Sequence, residues 1–313
     1  RRQTAASARP YPGAQDTTVP TPSVRPSVPR VRDIDVAILA ARAAAGIVAD
    51  GFRRVTDADM KGVVDPVTDT DRAAEAAVAE VLADLRPDDG LLAEEGSSSE
   101  ATSGRRWVVD PLDGTVNFVS GIPQVGVSVA LEDGEGPLIG VVVDPLRDEE
   151  FSAERGRGAF LNGSPIRVST RERLGDAVIV TGFPYDRRDH GPAYANVVGA
   201  VLQEARGVRR LGSAALDLAW VAAGRYDGYW EFSLSPWDMT AGILLVAEAG
   251  GTATDSLGGP IDHTDLVVTN GLIHAELRGV VSRHRPPHLP PPPSACAPTM
   301  PGRRRRAARW SPR

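Results

Sequence analysis

The chain has 313 residues and 42% hydrophobic content, enough to bury a substantial core in one large domain or two of ordinary size. Its formal charge of −6 argues against the whole chain being a nucleic-acid binder, although both ends are basic and the middle is acidic. A single cysteine, Cys296, excludes an internal disulfide or a multi-cysteine zinc site, and no stretch approaches the roughly 20 apolar residues that cross a bilayer, so a soluble, cytoplasmic protein is expected.

Residues 1–32 are rich in Pro, Ser, Thr and Arg and poor in acids, which predicts a disordered extension with a faint transit-peptide character. From Asp33, apolar residues repeat at helical spacing through an Ala-rich segment that Gly51 stops. A second helix is expected from about Asp71 to Leu85, with Thr70 as its cap and Pro87 beyond its end. Leu91 to Ala93 forms a short strand closing on Glu94-Glu95. Another, Trp107 to Val109, is expected to end at Pro111, which cannot donate a ladder hydrogen bond.

Short runs at Val125 to Leu131, Leu138 to Val143, Glu150 to Ala153 and Ala159 to Leu161 carry the punctuation of an antiparallel meander. After Gly175, strands (Val178 to Thr181, Val267 to Thr269) alternate with helices (about Ala193 to Glu204, Ser213 to Ala223, Trp237 to Ala249). The reading is therefore an α+β sub-domain over 33–175 and an α/β sub-domain over 176–280, with a site between them. Beyond Arg278 the acid-free, Pro- and Arg-rich chain predicts a disordered basic tail, 281–313.

Asp110-Pro111-Leu112-Asp113 follows an apolar strand directly. Two carboxylates this close repel unless a cation lies between them, and the Leu112 carbonyl is a natural further oxygen ligand for a hard divalent ion. Taken alone, such a spacing is more common in ordinary acidic turns. Gly114-Thr115 then allows an anion to approach backbone N–H groups, with a hydroxyl that can orient water. Glu94 and Asp238 also arrive at element ends. Singly, each reads as well as a solvated loop acid or a helix N-terminal acid.

Together these segments resemble the inositol monophosphatase family. Asp110-Pro-Leu-Asp-Gly-Thr, Trp237-Asp-Met-Thr-Ala-Gly and Glu248-Ala-Gly-Gly look like its paired signatures. Asp65 to Asp71, Ala93 to Gly96, Asn162 to Ile166, Gly212 to Ala215 and Thr269 to Gly271 follow in family order. The resemblance implies a layered αβαβα sandwich of the inositol monophosphatase/fructose-bisphosphatase type. It also implies a phosphomonoesterase using two to three Mg²⁺ ions, with Mn²⁺ as a substitute, inhibited by Li⁺ and assembled as a homodimer.

On this resemblance Glu94, Asp110, the Leu112 carbonyl, Asp113 and Asp238 hold metal, with Asp110 bridging. Thr115, partnered by Asp71, positions water; Gly114 and Thr115 N–H groups hold phosphate; no phosphoenzyme forms. Glu94 and Lys61, the sole lysine, complete the catalytic group. Gly212, Ser213, Ala214 and Glu231 match positions that contact polyol hydroxyls. The expected substrate is a myo-inositol monophosphate or related polyol phosphate. Histidinol phosphate, fructose 1,6-bisphosphate and 3′-phosphoadenosine nucleotides remain alternatives, as does a non-enzymatic role in RNA binding or transcription through the basic tail.

Overall fold

Seven small apolar residues of α1 (Asp33–Gly51), among them Val36, Ala40, Ala44 and Val48, fall on one face and are buried. The computed structural model describes residues 31–54, 59–61, 66–261 and 263–291, so the N-terminal extension up to residue 30 and the tail beyond 291 lie outside the described residues. A two-residue antiparallel pair, β1 (Asp59–Met60) with β2 (Pro66–Val67), leads into α2 (Asp69–Leu85). Helix α2 is capped by Thr68, not Thr70. The Thr68 side chain accepts from the N–H of Thr70 and Asp71 while Asp71 accepts from the Thr68 N–H, a reciprocal box that leaves Thr70 inside the helix.

Eight strands then build the larger sheet: β3 (Gly90–Ala93), β4 (Ser98–Ser99), β5 (Arg106–Asp113), β6 (Gly126–Asp133), β7 (Gly136–Asp144), β8 (Glu149–Glu154), β9 (Ala159–Leu161) and β10 (Ser164–Ile166). Their order is β10-β9-β8-β7-β6-β5-β3-β4, antiparallel except for the β3–β5 pair. A short helix, α3 (Thr115–Val119), interrupts the run after β5. The second sheet has five strands, ordered β12-β11-β13-β15-β14. Its elements follow in sequence as β11 (Val178–Thr181), α4 (Arg187–Glu204), β12 (Gly207–Arg209), α5 (Ala214–Ala222), β13 (Gly228–Phe232), α6 (Pro236–Glu248), β14 (Thr252–Thr254), β15 (Asp265–Thr269) and α7 (His274–Arg283).

Three apolar cores define five layers, as an αβαβα sandwich. Helices α1 and α2 pack on one face of the large sheet around Trp107, Val127 and Val141. Helices α5 and α6 fill the space between the two sheets, joining Val108, Ala130 and Phe151 to Val180, Tyr229 and Val268. Helices α4 and α7 cover the outer face of the small sheet around Ile179, Trp230 and Val267. Because α6 is covered on both sides, its residues Met239 to Val246 are all buried, and the helix is apolar all round. Glycine makes the contact close: a Cβ at Gly140 would meet the Ala241 carbonyl at 2.7 Å, and one at Gly242 would meet Leu218 Cβ at 2.5 Å.

Three further expectations are corrected. Strand β5 does not end at Pro111 but runs to Asp113, because a bulge between Asp110 and Asp113 takes up the residue that cannot pair. Helix α6 starts at Pro236 with Ser235 as cap, rather than at Trp237. The expected tail does not begin at 281: α7 continues to Arg283, Leu289 is buried in the outer core, and Arg285 pairs with the buried Asp265 at 2.7 Å.

Candidate active site

The β5 bulge is where the site begins. Its irregular backbone leaves Asp110 1% exposed and Asp113 8% exposed, with the Leu112 N–H donating to Asp110 Oδ1 at 3.0 Å. Glu94 reaches the same place from the end of the parallel neighbour β3, and Asp238 from the first turn of α6. A cleft of about 210 Å³ is lined by Lys61, Glu94, Asp110, Leu112, Asp113, Gly114, Thr115, Tyr185, Ser235, Trp237 and Asp238. The structure thus brings together Lys61, every expected metal ligand, and the Gly114-Thr115 pair.

Each acid is held by identifiable partners. The Asp113 carboxylate accepts from Ser213 Oγ at 2.5 Å and from the Ala215 N–H at 2.7 Å. Asp238 accepts from the Ser235 N–H at 2.7 Å, so the residue that caps α6 also aims the Asp238 carboxylate. Lys61 donates to Glu94 at 3.0 Å and to Glu95 at 2.6 Å. Burial opposes the charge on Lys61, but Glu94 and Glu95 outweigh it and hold the ammonium above its ordinary value.

Four carboxylates around one ammonium leave an excess of negative charge in a poorly solvated place. Burial, followed by the charges of Glu94, Asp113 and Asp238, pushes Asp110 well above the usual carboxylate range. Asp238 is displaced the same way by burial and by Asp113, and Asp113 is raised to about 6 by burial despite its donors. The chemistry of the donors, carboxylates with the Leu112 carbonyl and without sulfur or imidazole, fits hard divalent cations, whose charge would neutralise this excess.

A second group lies beside the acids. Thr115 Oγ1 is 3.1 Å from both Asp71 Oδ1 and the Leu112 carbonyl, and with one proton it can donate to only one of them at a time. Asp71 is 1% exposed and already accepts from the Thr68 N–H at 2.8 Å; burial raises its pKa against these hydrogen bonds. Gly114 has φ +90°, and a Cβ there would meet the Gln124 carbonyl at 2.9 Å, so only glycine lets α3 start this close to β6. Asn117 ties the turn down by donating to the carbonyls of Gln124 and Leu211, both at 2.8 Å.

The residues expected to meet substrate hydroxyls are placed less uniformly. Glu231 is not an exposed acid but the fourth residue of β13, 8% exposed, with Tyr229 donating to it at 2.5 Å. Burial raises it to about 7, while Tyr229 and Arg210 pull the other way. Its carboxylate lies against Gly182, where a Cβ would come within 2.3 Å of three of its atoms. Ser213, by contrast, spends its hydroxyl on Asp113, and the Arg210 guanidinium packs close over Gly212. Ala214 follows as the first residue of α5.

Sequence reasoning missed several supporting residues. Glu75 is a charged residue on the buried face of α2, and it fixes the Glu94 turn by accepting from the N–H of Glu95 at 2.7 Å and Ser97 at 2.8 Å. An acid beside Ala74 and Val78 on the apolar stripe of α2, one turn after Asp71, was the available signal. Arg210, Tyr185 and Tyr229 offered none, because their neighbourhood is set by tertiary packing. Glu248, part of the quoted motif, lies outside the site and accepts from the N–H of Gly156 and Gly158, both at 2.7 Å.

A sequence profile of the inositol monophosphatase family matches residues 31–286. An inositol-1-monophosphatase of Rhizobium meliloti (strain 1021) is 49% identical over 231 residues, covering 72% of this chain and 86% of its own. A Pseudomonas aeruginosa protein named Nus factor SuhB is 41% identical over 265 residues, covering 82% of this chain and 98% of its own. The crystal structure of the extragenic suppressor protein suhB from Bartonella henselae superposes with a TM-score of 0.76 at 43% identity, covering 80% of this chain and 98% of that one. Among the described residues no helix is long and apolar enough to cross a membrane.

Proposed function

The chain belongs to the inositol monophosphatase family, and on that premise we propose that it hydrolyses myo-inositol monophosphate or a closely related polyol phosphate with Mg²⁺. The observation that carries this reading is the convergence of Glu94, Asp110, Asp113 and Asp238 in one cleft beside the Thr115–Asp71 pair. The reading brings with it Mn²⁺ as a substitute, inhibition by Li⁺ and assembly as a homodimer. The four carboxylates and the Leu112 carbonyl would hold the ions. When bound, Mg²⁺ supplies positive charge to the phosphoryl oxygens and acidifies a water.

The remaining work falls to this chain's own side chains. With the Leu112 carbonyl turned to a cation, the Thr115 hydroxyl would donate to Asp71 and present a lone pair to the water that attacks in line with the leaving group; as Thr115 takes the water's proton it passes its own to the Asp71 carboxylate. Gly114 and Thr115 N–H groups orient the phosphate. Lys61 holds Glu94 in place while leaving its second oxygen for a ligand role. Thr115→Ala is expected to lower kcat about 100-fold with little change in KM, measured as phosphate release under saturating Mg²⁺.

Glu231 supports the polyol end. A buried carboxylate pre-set by Tyr229 accepts hydrogen bonds from vicinal hydroxyls and penalises a substrate that leaves it unpaired. Glu231→Gln is expected to reduce the preference for inositol 1-phosphate over a hydroxyl-poor monoester about 10- to 100-fold in kcat/KM. The deciding experiment is a panel of inositol 1-phosphate, histidinol phosphate, fructose 1,6-bisphosphate and 3′-phosphoadenosine nucleotides, with and without Mg²⁺. Faster turnover of histidinol phosphate would sink the substrate but leave the reaction class; no Mg²⁺-dependent release from any of them would sink both.

The relative named a Nus factor favours a second reading, association with transcription machinery, that does not need hydrolysis. Thr115→Ala separates the two. If the variant restores growth or transcription to a null strain as well as the unaltered chain does, association carries the biology; failure to do so assigns it to hydrolysis.

A further inference from the structure

Beyond the carboxylate cleft, helix α4 carries Asp186, His190 and Tyr194 one turn apart on the same face, Asp186 standing at its N-cap position. An N-cap aspartate ordinarily turns its carboxylate back onto the helix. This one makes no cap hydrogen bond and instead accepts from Tyr194 Oη at 2.8 and 3.1 Å. His288 comes in from the segment after α7, its Nε2 3.0 Å from Tyr194 Oη and 3.5 Å from Asp186 Oδ2. The His190 and His288 rings stack at 3.6 Å between centroids.

We infer that Asp186, His190 and His288 form a second metal site, separate from the catalytic cleft, for a late first-row divalent ion of which Zn²⁺ is the natural representative. One ligand atom from each lies within 4.8 Å of the other two. Four-coordinate zinc, with bonds of about 2.0–2.2 Å, needs its ligand atoms about 3.4 Å apart. Closing that gap requires both imidazoles to turn about their side-chain torsions, which opens the two stacked rings so that each presents a nitrogen edge-on. His288, exposed on its segment, has room to make it.

Both carriers are anchored beforehand. Asp186 and His190 sit at the start of an eighteen-residue helix. His288 stands beside Leu289, which is buried in the outer core, and three residues after Arg285, which is paired with Asp265. Tyr194 completes the arrangement by orienting the carboxylate, as partners behind metal ligands do. Two imidazoles and one carboxylate select zinc, nickel or copper over Mg²⁺, the reverse of the all-oxygen cleft. The ion pins the C-terminal segment to the start of α4, next to Tyr185 in the catalytic cleft wall.

The test is calorimetric titration of the full chain with Zn²⁺ in saturating Mg²⁺, paired with thermal melts. Wild type is expected to take up one equivalent and to melt higher with zinc. His288→Ala and the conservative His190→Gln should each weaken uptake on the order of 100-fold, and Tyr194→Phe about tenfold. Asp110→Asn, altered only in the catalytic cleft, should keep the zinc site intact. Equal affinity in His190→Gln and wild type, or zinc uptake lost in Asp110→Asn instead, overturns the site. So does a wild type that binds no zinc in Mg²⁺, which would leave Asp186 and His288 as a plain ion pair.

Discussion

Asp110→Asn is expected to abolish Mg²⁺-dependent phosphate release, with kcat down by at least about 10³-fold, while making the metal-free protein more stable. The two effects share one cause. Asp110 is 1% exposed and faces Glu94, Asp113 and Asp238, so without cations its negative charge is disfavoured by burial and by its neighbours. An amide removes the repulsion and still hydrogen-bonds Glu94, but it forfeits the oxygen charge that a bridging ligand must offer. Phosphate release and chelator-equilibrated urea melts on the same preparations check both halves. A variant that is inactive and also less stable without metal would mean that Asp110 is needed for packing.

The metal-free enzyme is expected to lose stability as pH rises. In the unfolded chain these carboxyls ionise near their ordinary values, whereas in the folded chain burial holds Asp113 to about 6 and Glu231 to about 7, with Asp110 and Asp238 displaced in the same direction. Between the two limits the folded state binds more protons, so ∂ΔG/∂pH is negative. Stability is full below the unfolded values and falls through pH 6 and 7, on the order of 3 kcal/mol each for Asp113 and Glu231. On the proposed function Mg²⁺ is expected to reverse the trend, by replacing protons at the carboxylates that would hold it. The stabilisation by Mg²⁺ should therefore be several kcal/mol larger at pH 8 than at pH 5, read from urea melts with and without the ion. Equal stabilisation at both pH values would place the bound ions elsewhere.

The grouping of these acids was legible through the family resemblance and not through spacing, since Asp110 to Asp113 alone reads as an ordinary acidic turn and Glu94 and Asp238 as solvated or helix-terminal acids. Asp110, Asp113, Glu94, Asp238 and the Thr115–Asp71 pair all meet as the resemblance implies. What periodicity could not supply was the exact backbone. Pro111 reads as a strand terminator, yet a bulge carries β5 past it and so turns the break into the place where Asp110 and Asp113 are buried. Thr70 reads as the cap of α2 and Trp237 as the first residue of α6, yet Thr68 and Ser235 are the caps, since the reciprocal bond of Asp71 or Asp238 decides. The burial of Glu231 could not be read from alternation, because a five-residue strand such as β13, buried on both faces, shows none. The stretch 281–291 looked like tail for a related reason: its prolines and arginines hide Leu289, one apolar residue that anchors it.

Helix α6 meets strand β7 of the large sheet and its neighbour α5 through hydrogen atoms, where Gly140 faces Ala241 and Gly242 faces Leu218, and it is packed between the two sheets. Its first turn carries Asp238, while the bulge of the large sheet carries Asp110 and Asp113 and the small sheet carries Glu231. The helix therefore works as a feeler gauge slipped between two plates: its thickness sets how far apart the plates stand, and hence how the acid on its tip registers against those on either plate. Residues that own no functional group, chosen for their lack of bulk, thus share in setting the dimensions of the catalytic centre. Selection acting on reactivity here would be visible as an intolerance of methyl groups in the hydrophobic interior.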